Sequence, residues 1–184
     1  MDTPNLWQDF KMYFAASCDK HHLDGLERAW RSGGDRTTFY VNTIFPEVAD
    51  QMNLTLRREL FKVDAALCKT SDTGHYVPHI FIESENNADT ATYEMWKLAS
   101  LNSPCRILIV CCEWSSDLWG HSGRQDELLK SWSKIIKAHS DLWKLNGVIG
   151  IINVEWGEVL RLTSTAWNEN GQMIETPQII LELA

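Results

Sequence analysis

A chain of 184 residues has the length of one domain, on the usual scale of roughly 100–200 residues per domain. Its 44% hydrophobic and 23% charged residues are those of an ordinary globular protein, which excludes disorder, collagen-like repeats and small disulfide scaffolds. A net charge of −8 opposes non-specific attraction to nucleic acid, because that attraction comes from Lys and Arg displacing counterions from phosphates. The longest apolar run, around Ile107 to Cys112, is far short of the ~20 residues that span a bilayer, so no membrane partner is expected. The N-terminus has neither a basic region nor an apolar one of the secretory type, and a cytoplasmic location is expected. Cys18, Cys68, Cys105, Cys111 and Cys112 show no CxxC or finger spacing and read as reduced core residues. The nine tryptophans follow the amphipathic segments, so most are expected in the core.

Residues 4–16 carry Leu6, Phe10, Tyr13 and Phe14 at helical spacing, and Leu23 to Trp30 form a second short helix before a Ser32-Gly33-Gly34 turn. Asp35 caps a longer helix through Tyr40, Val41, Ile44, Val48 and Met52, bent or restarted at Pro46. Period two then predicts extended chain over 54–68, with Phe61, Val63, Ala65 and Leu67 on one face and Lys62, Asp64, Ala66 and Cys68 on the other. The turn cluster 70–75 predicts an antiparallel neighbour, Val77 to Glu85, with His79, Phe81, Glu83 and Glu85 sharing a face. A helix from Asp89 or Thr90 to Leu101 and an apolar strand, Arg106 to Cys112, follow. After a polar loop with Ser115, Ser116, Gly120 and Gly123, a helix over 124–144 places Leu128, Trp132, Ile135, Ile136, His139 and Trp143 on one stripe. Strands are expected at Val148–Val154, Val159–Ala166 and Ile179–Leu183, with a turn at Asn168 to Gly171. A strand between helices implies a crossover and parallel pairing, hence a mixed α/β sandwich.

The informative constellation is Asp64 with Glu83 and Glu85. Period two puts the two glutamates on one face, and a neighbouring strand brings Asp64 beside them. Carboxylates so close raise one another's pKa unless a cation shares the site, and Mg²⁺ or Mn²⁺ takes oxygen ligands of this kind. No HExxH, GxSxG, GxxxxGK[ST] or GxGxxG pattern is present, which leaves zinc proteases, serine hydrolases, P-loop NTPases and Rossmann oxidoreductases without their usual signals.

The succession of a helix bearing Glu47, the strand around Asp64, the strand Pro78 to Asn86 ending in Glu83-Ser84-Glu85, a helix and an apolar strand resembles the PD-(D/E)XK phosphodiesterase superfamily. The resemblance covers about residues 35–112 as the motif-bearing core, with 1–34 an N-terminal helical extension of a single domain, 1–184. It implies a restriction endonuclease-like mixed sheet flanked by helices and a metal-dependent nuclease, a DNA endonuclease acting as a homodimer. Asp64 matches the motif's Asp and Glu83 its acid, while Glu85 stands where Lys is usual. Glu47 matches the accessory helix acid, and Lys97 or Lys62 could supply the missing charge. On this reading Mg²⁺ is held by Asp64, Glu83 and Glu47, and Glu85 or a phosphate oxygen of the substrate orients or deprotonates the water that attacks the phosphodiester. Lys130, Lys134, Lys137 and Lys144, opposite the apolar stripe of their helix, would touch the nucleic-acid backbone. Glu85 at the Lys position, the acidic net charge and the many aromatic residues support a second expectation, a nuclease-like fold without catalysis that serves as a protein-interaction or regulatory module.

Overall fold

The computed structural model of the chain describes residues 3–31, 35–113, 124–143, 145–156 and 159–183. Helices α1 (Thr3–Lys20), α2 (Glu27–Arg31), α3 (Asp35–Phe39) and α4 (Phe45–Gln51) precede strands β1 (Thr55–Arg58), β2 (Ala65–Thr70) and β3 (Tyr76–Glu85). Then come α5 (Ala91–Ser100), β4 (Cys105–Glu113), α6 (Arg124–Trp143), β5 (Val148–Trp156), β6 (Leu160–Trp167) and β7 (Met173–Leu183). The seven strands lie side by side in sequence order. β3, β4 and β5 are parallel neighbours, and all other adjacent pairs are antiparallel. Parallel neighbours need a crossover; α5 lies between β3 and β4 in the chain, and α6 between β4 and β5. The expected α/β class, a mixed sheet flanked by helices, is thus what the chain adopts.

Alternation along the strands divides the core into two layers. Ile80, Ile82, Ile107 and Ile109 pack with α1 and α4, whereas Phe81, Leu108, Val110 and Ile149 pack with α5 and α6. β4 is buried on both faces, which explains its unbroken apolar run. In the first layer Phe10 stacks on Phe14 at 5.6 Å between centroids, and Phe14 tilts against Tyr40 and Phe45. Trp7 lies so close to the sheet that a Cβ on Gly150 would fall 2.3 Å from its ring. Gly147, at φ +73°, faces the Pro104 carbonyl where a Cβ would stand 1.9 Å away, so both backbone angle and space demand glycine there.

Several expectations are corrected. Residues 54–68 are not one strand: Glu59, Phe61 and Lys62 take left-handed φ values of 54°, 56° and 63°, and the chain turns so that Arg58 pairs with Ala65. The expected faces separate accordingly. Phe61 is 64% exposed, Val63 packs with α5 and α6, and Ala65 and Leu67 pack in the opposite layer. The helix after Asp35 is α3, a wider π-type turn at Tyr40–Ile44 and α4, with Pro46 in the first turn of α4 where a missing N–H is harmless. The expected strand at Ile179–Leu183 is the end of the longer β7. The apolar stripe of α6 stops short of the helix end, where Leu142 and Trp143 face solvent. The Ser32-Gly33-Gly34 turn, the loop bearing Ser115, Ser116, Gly120 and Gly123, and Lys144 lie outside the described residues. Among the described residues no helix is long and apolar enough to cross a membrane.

Candidate acid–base site

Glu83 is third from the end of β3 and 3% exposed. It belongs to the alternation of Phe81 and so faces α5. Ala65 is in register with Ile82, which puts Asp64, just ahead of β2, opposite Glu83. Asp64 Oδ2 accepts the Ser84 backbone N–H at 2.8 Å, and its carboxyl group lies within hydrogen-bonding reach of the Glu83 carboxyl. The tight turn at 59–62 delivers Asp64 to this place.

Lys97 closes the group from α5. Its Nζ is 2.6 Å from Glu83 Oε1 and 2.5 Å from Glu94 Oε2, and it donates to the Lys62 carbonyl at 3.2 Å. The Lys62 carbonyl takes a hydrogen bond, and the two carboxylates stand at ion-pair distance without meeting hydrogen-bond geometry. Burial pushes the Glu83 carboxyl up to about 8; Lys97 opposes that shift and the neighbouring Asp64 charge adds to it. Burial also raises Asp64, against the Ser84 and Glu83 hydrogen bonds and the Lys97 charge. Lys97 is drawn down by burial, but its pairing with Glu83 and Glu94 outweighs this and holds the ammonium above its ordinary range. Two adjacent carboxyl groups, both raised by burial, therefore stand beside a positive charge, the arrangement in which a carboxyl pair holds one proton and titrates together.

The sequence-predicted residues divide. Asp64, Glu83 and Lys97 come together. Glu85 is on the same face as Glu83 but turns its carboxylate to the Asn87 backbone N–H at 2.9 Å, where it caps the strand end. Glu47 is in the opposite helical layer, with Ser17 Oγ, Lys20 Nζ and His21 Nε2 at 2.9, 2.8 and 2.8 Å. These partners hold its carboxylate down at about 2. It ties α4 to α1 and cannot join Asp64 and Glu83, because the sheet stands between them. Lys130, Lys134 and Lys137 are exposed on α6, and Lys137 pairs with Asp141 at 3.1 Å. The Lys62 side chain is exposed; only its carbonyl serves the site. Glu94 joins the group without being among the sequence-predicted residues, and the signal for it is an acid three residues before a candidate lysine on one helix.

A divalent cation would have to displace the shared proton and be held by Asp64 and Glu83, since Lys97 already takes one side of Glu83. Among the described residues no group of three or more His, Cys, Asp and Glu side chains is arranged to hold a metal ion.

No family model matches the chain, and no curated protein matches it. Among solved structures it is similar to a carbon-nitrogen hydrolase from Helicobacter pylori, at 10% identity and a TM-score of 0.37, over 93% of this chain and 72% of that one. Membership of the PD-(D/E)XK superfamily is therefore corrected: no family model and no curated protein supports it. The nuclease activity and the DNA-binding role that depended on that membership are withdrawn with it, as is the inactive nuclease-like module. The geometry agrees, because the accessory acid is in the wrong layer and Glu85 caps a turn. At that TM-score the likeness carries no argument about what this chain does.

Proposed function

We propose that Asp64, Glu83 and Lys97 form the acid–base centre of a hydrolytic enzyme. The observation that carries this reading is the Glu83 carboxyl, buried at the end of a parallel strand, within reach of a second carboxyl and of an ammonium. Two carboxyl groups with one proton between them do both halves of a hydrolysis. The ionised one takes a proton from attacking water, and the protonated one gives a proton to the leaving group. Asp64, the more exposed of the two, is the base that water reaches. Glu83, with its pKa near 8, holds a transferable proton at neutral pH. Lys97 stabilises the negative charge of the pair whenever one or both carboxyls are ionised.

The test is hydrolysis of a panel of chromogenic esters and amides by the wild type, Asp64→Asn and Glu83→Gln. Cleavage by the wild type, with a bell-shaped pH profile and a loss of at least 10²-fold in each variant, is expected. Cleavage of none of them by the wild type, or equal cleavage by all three proteins, overturns the reading.

A second reading, a Mg²⁺ or Mn²⁺ site on Asp64 and Glu83, is favoured by the same shared proton, because Mg²⁺ is often held by one or two carboxylates with substrate completing its shell. Calorimetric titration of Mn²⁺ into wild type and Asp64→Ala separates the two: heat from the wild type alone selects the cation. The finer description of the sheet as restriction endonuclease-like is supported by the succession α4, β1, β2, β3, α5, β4. It concerns topology, and no activity is drawn from it.

A further inference from the structure

The turn that delivers Asp64 is built in an expensive way. Three of its four residues from Glu59 to Lys62 take left-handed φ values without a glycine among them, a conformation that is an outlier for a bulky side chain. Phe61 is the bulkiest of the three, and with 64% of it exposed little burial offsets the strain. Such strain persists where surrounding structure imposes it, and it concentrates at functional sites.

The placement of the ring is defined. Its centroid is 6.0 Å from that of Phe81, with the planes at 84°, so one ring presents its edge to the other. Whichever ring supplies the edge, at least one face of Phe61 stays open. Phe81 precedes Glu83 by two residues on the same face of β3, roughly 7 Å along the strand. The residue after Phe61 accepts the Lys97 hydrogen bond through its carbonyl. The exposed ring therefore belongs to the turn that leads into Asp64 and touches Lys97, on the face of β3 that carries Glu83.

We propose that Phe61 is a substrate-contacting residue that stacks a flat ring and presents a hydrogen-bonding substituent of that ring to Asp64 and Glu83. The substrate class is accordingly a planar, ring-bearing compound. This rests on the acid–base reading of the same site, but its test does not use hydrolysis, so the two fail separately. Benzamide and cyclohexanecarboxamide carry the same polar group on a flat and a puckered ring. Their affinities for wild type, Phe61→Ala, Phe61→Trp and Glu83→Gln are measured by ligand-observed NMR. Benzamide binding that falls about tenfold in Phe61→Ala and returns in Phe61→Trp is expected, given the usual strength of an aromatic pair. Cyclohexanecarboxamide is expected to bind wild type and Phe61→Ala alike, and Glu83→Gln to weaken both compounds. Benzamide binding that ignores Phe61→Ala overturns the proposal, and so does no binding to the wild type. Phe61→Asn supplies a readout free of ligand: asparagine accepts the left-handed backbone, so a melting temperature within about 2 °C of wild type is expected. A drop of more than about 5 °C would make Phe61 a cover for Phe81 and defeat the substrate role.

Discussion

Glu83 keeps its proton to about pH 8 in the folded chain and loses it near 4.5 when free of its surroundings. Between these values the folded state binds more protons than the unfolded state, so raising the pH through this window favours unfolding. The melting temperature of the wild type is therefore expected to fall from about pH 5 to about pH 8 and then level. Glu83→Gln, which keeps the shape without the ionisation, is expected to flatten that limb and to be the more stable protein above pH 8; parallel curves would show that Glu83 titrates normally. Lys97 offers a complementary test. Removing one partner of a buried pair is costly, but the side chain is 25% exposed, so Lys97→Met is expected to lose about 2–3 kcal/mol rather than the full amount for a dry site. Urea denaturation at pH 9, where Glu83 is ionised, measures it, and a loss below about 0.5 kcal/mol would show that the ion pair adds nothing to stability.

Strands β5 and β6 carry polar side chains into the layer under α5 and α6. Asn153 and Thr165 are 1% and 0% exposed, and among the described residues the Asn153 side-chain amide and the Thr165 hydroxyl meet no hydrogen-bonding partner. An unpaired buried polar group costs about 1–3 kcal/mol. Asn153→Leu with Thr165→Val is therefore expected to raise stability by about 1–2 kcal/mol, read as a higher urea midpoint with an unchanged slope. A lower midpoint would mean that the pair is satisfied within the fold. The contact between α1 and β5 works in the other direction. With Trp7 fully buried against Gly150, Gly150→Ala forces the helix off the sheet, and a loss of at least about 2–3 kcal/mol is expected from overpacking. Trp7→Leu in the same chain should return part of it, a coupling that two independent sites would not show.

Among the described residues Glu47 and Glu83 lie in opposite layers, and they act with opposite sign. Glu47 keeps its charge down to about pH 2 through Lys20 and His21, so its contribution is present above about pH 4.5 and is lost as the pH falls towards 2. With Glu83 acting from the alkaline side, the two groups place maximum stability near pH 5, close to the sequence pI of about 5.2 but for a different reason. Cys18, Cys68, Cys105 and Cys111 are buried thiols. Burial pushes Cys105 and Cys111 up to about 12 and Cys18 further still. Thiolate is the reactive form, so these four are expected to resist alkylation in the folded protein and to react together when it unfolds. Peptide mapping after iodoacetamide treatment across the urea transition checks this; labelling of Cys18 or Cys111 well before the midpoint would reveal that the first layer opens independently.

Periodicity made most elements legible. Apolar residues three and four apart marked α1 and α6, a capping Asp89 or Thr90 marked α5, alternation marked β3, and an unbroken apolar run marked β4, because burial acts on side chains in the order in which the backbone presents them. The same alternation put Glu83 and Glu85 on one face, and a lysine on the next helix was already a candidate. The rest depended on the assembled fold. Glu59, Phe61 and Lys62 carry no turn signal, since left-handed backbone is ordinarily written with Gly or Asn, so the break that creates β1 and delivers Asp64 was hidden inside a run of alternating residues. Glu47 and Glu83 looked like members of one acid cluster, yet alternation says only that a residue changes face, not which helices cover that face. The sheet settled that question by separating α4 from α5, and it left Glu83 with Asp64, Lys97 and Glu94 as its charged neighbours.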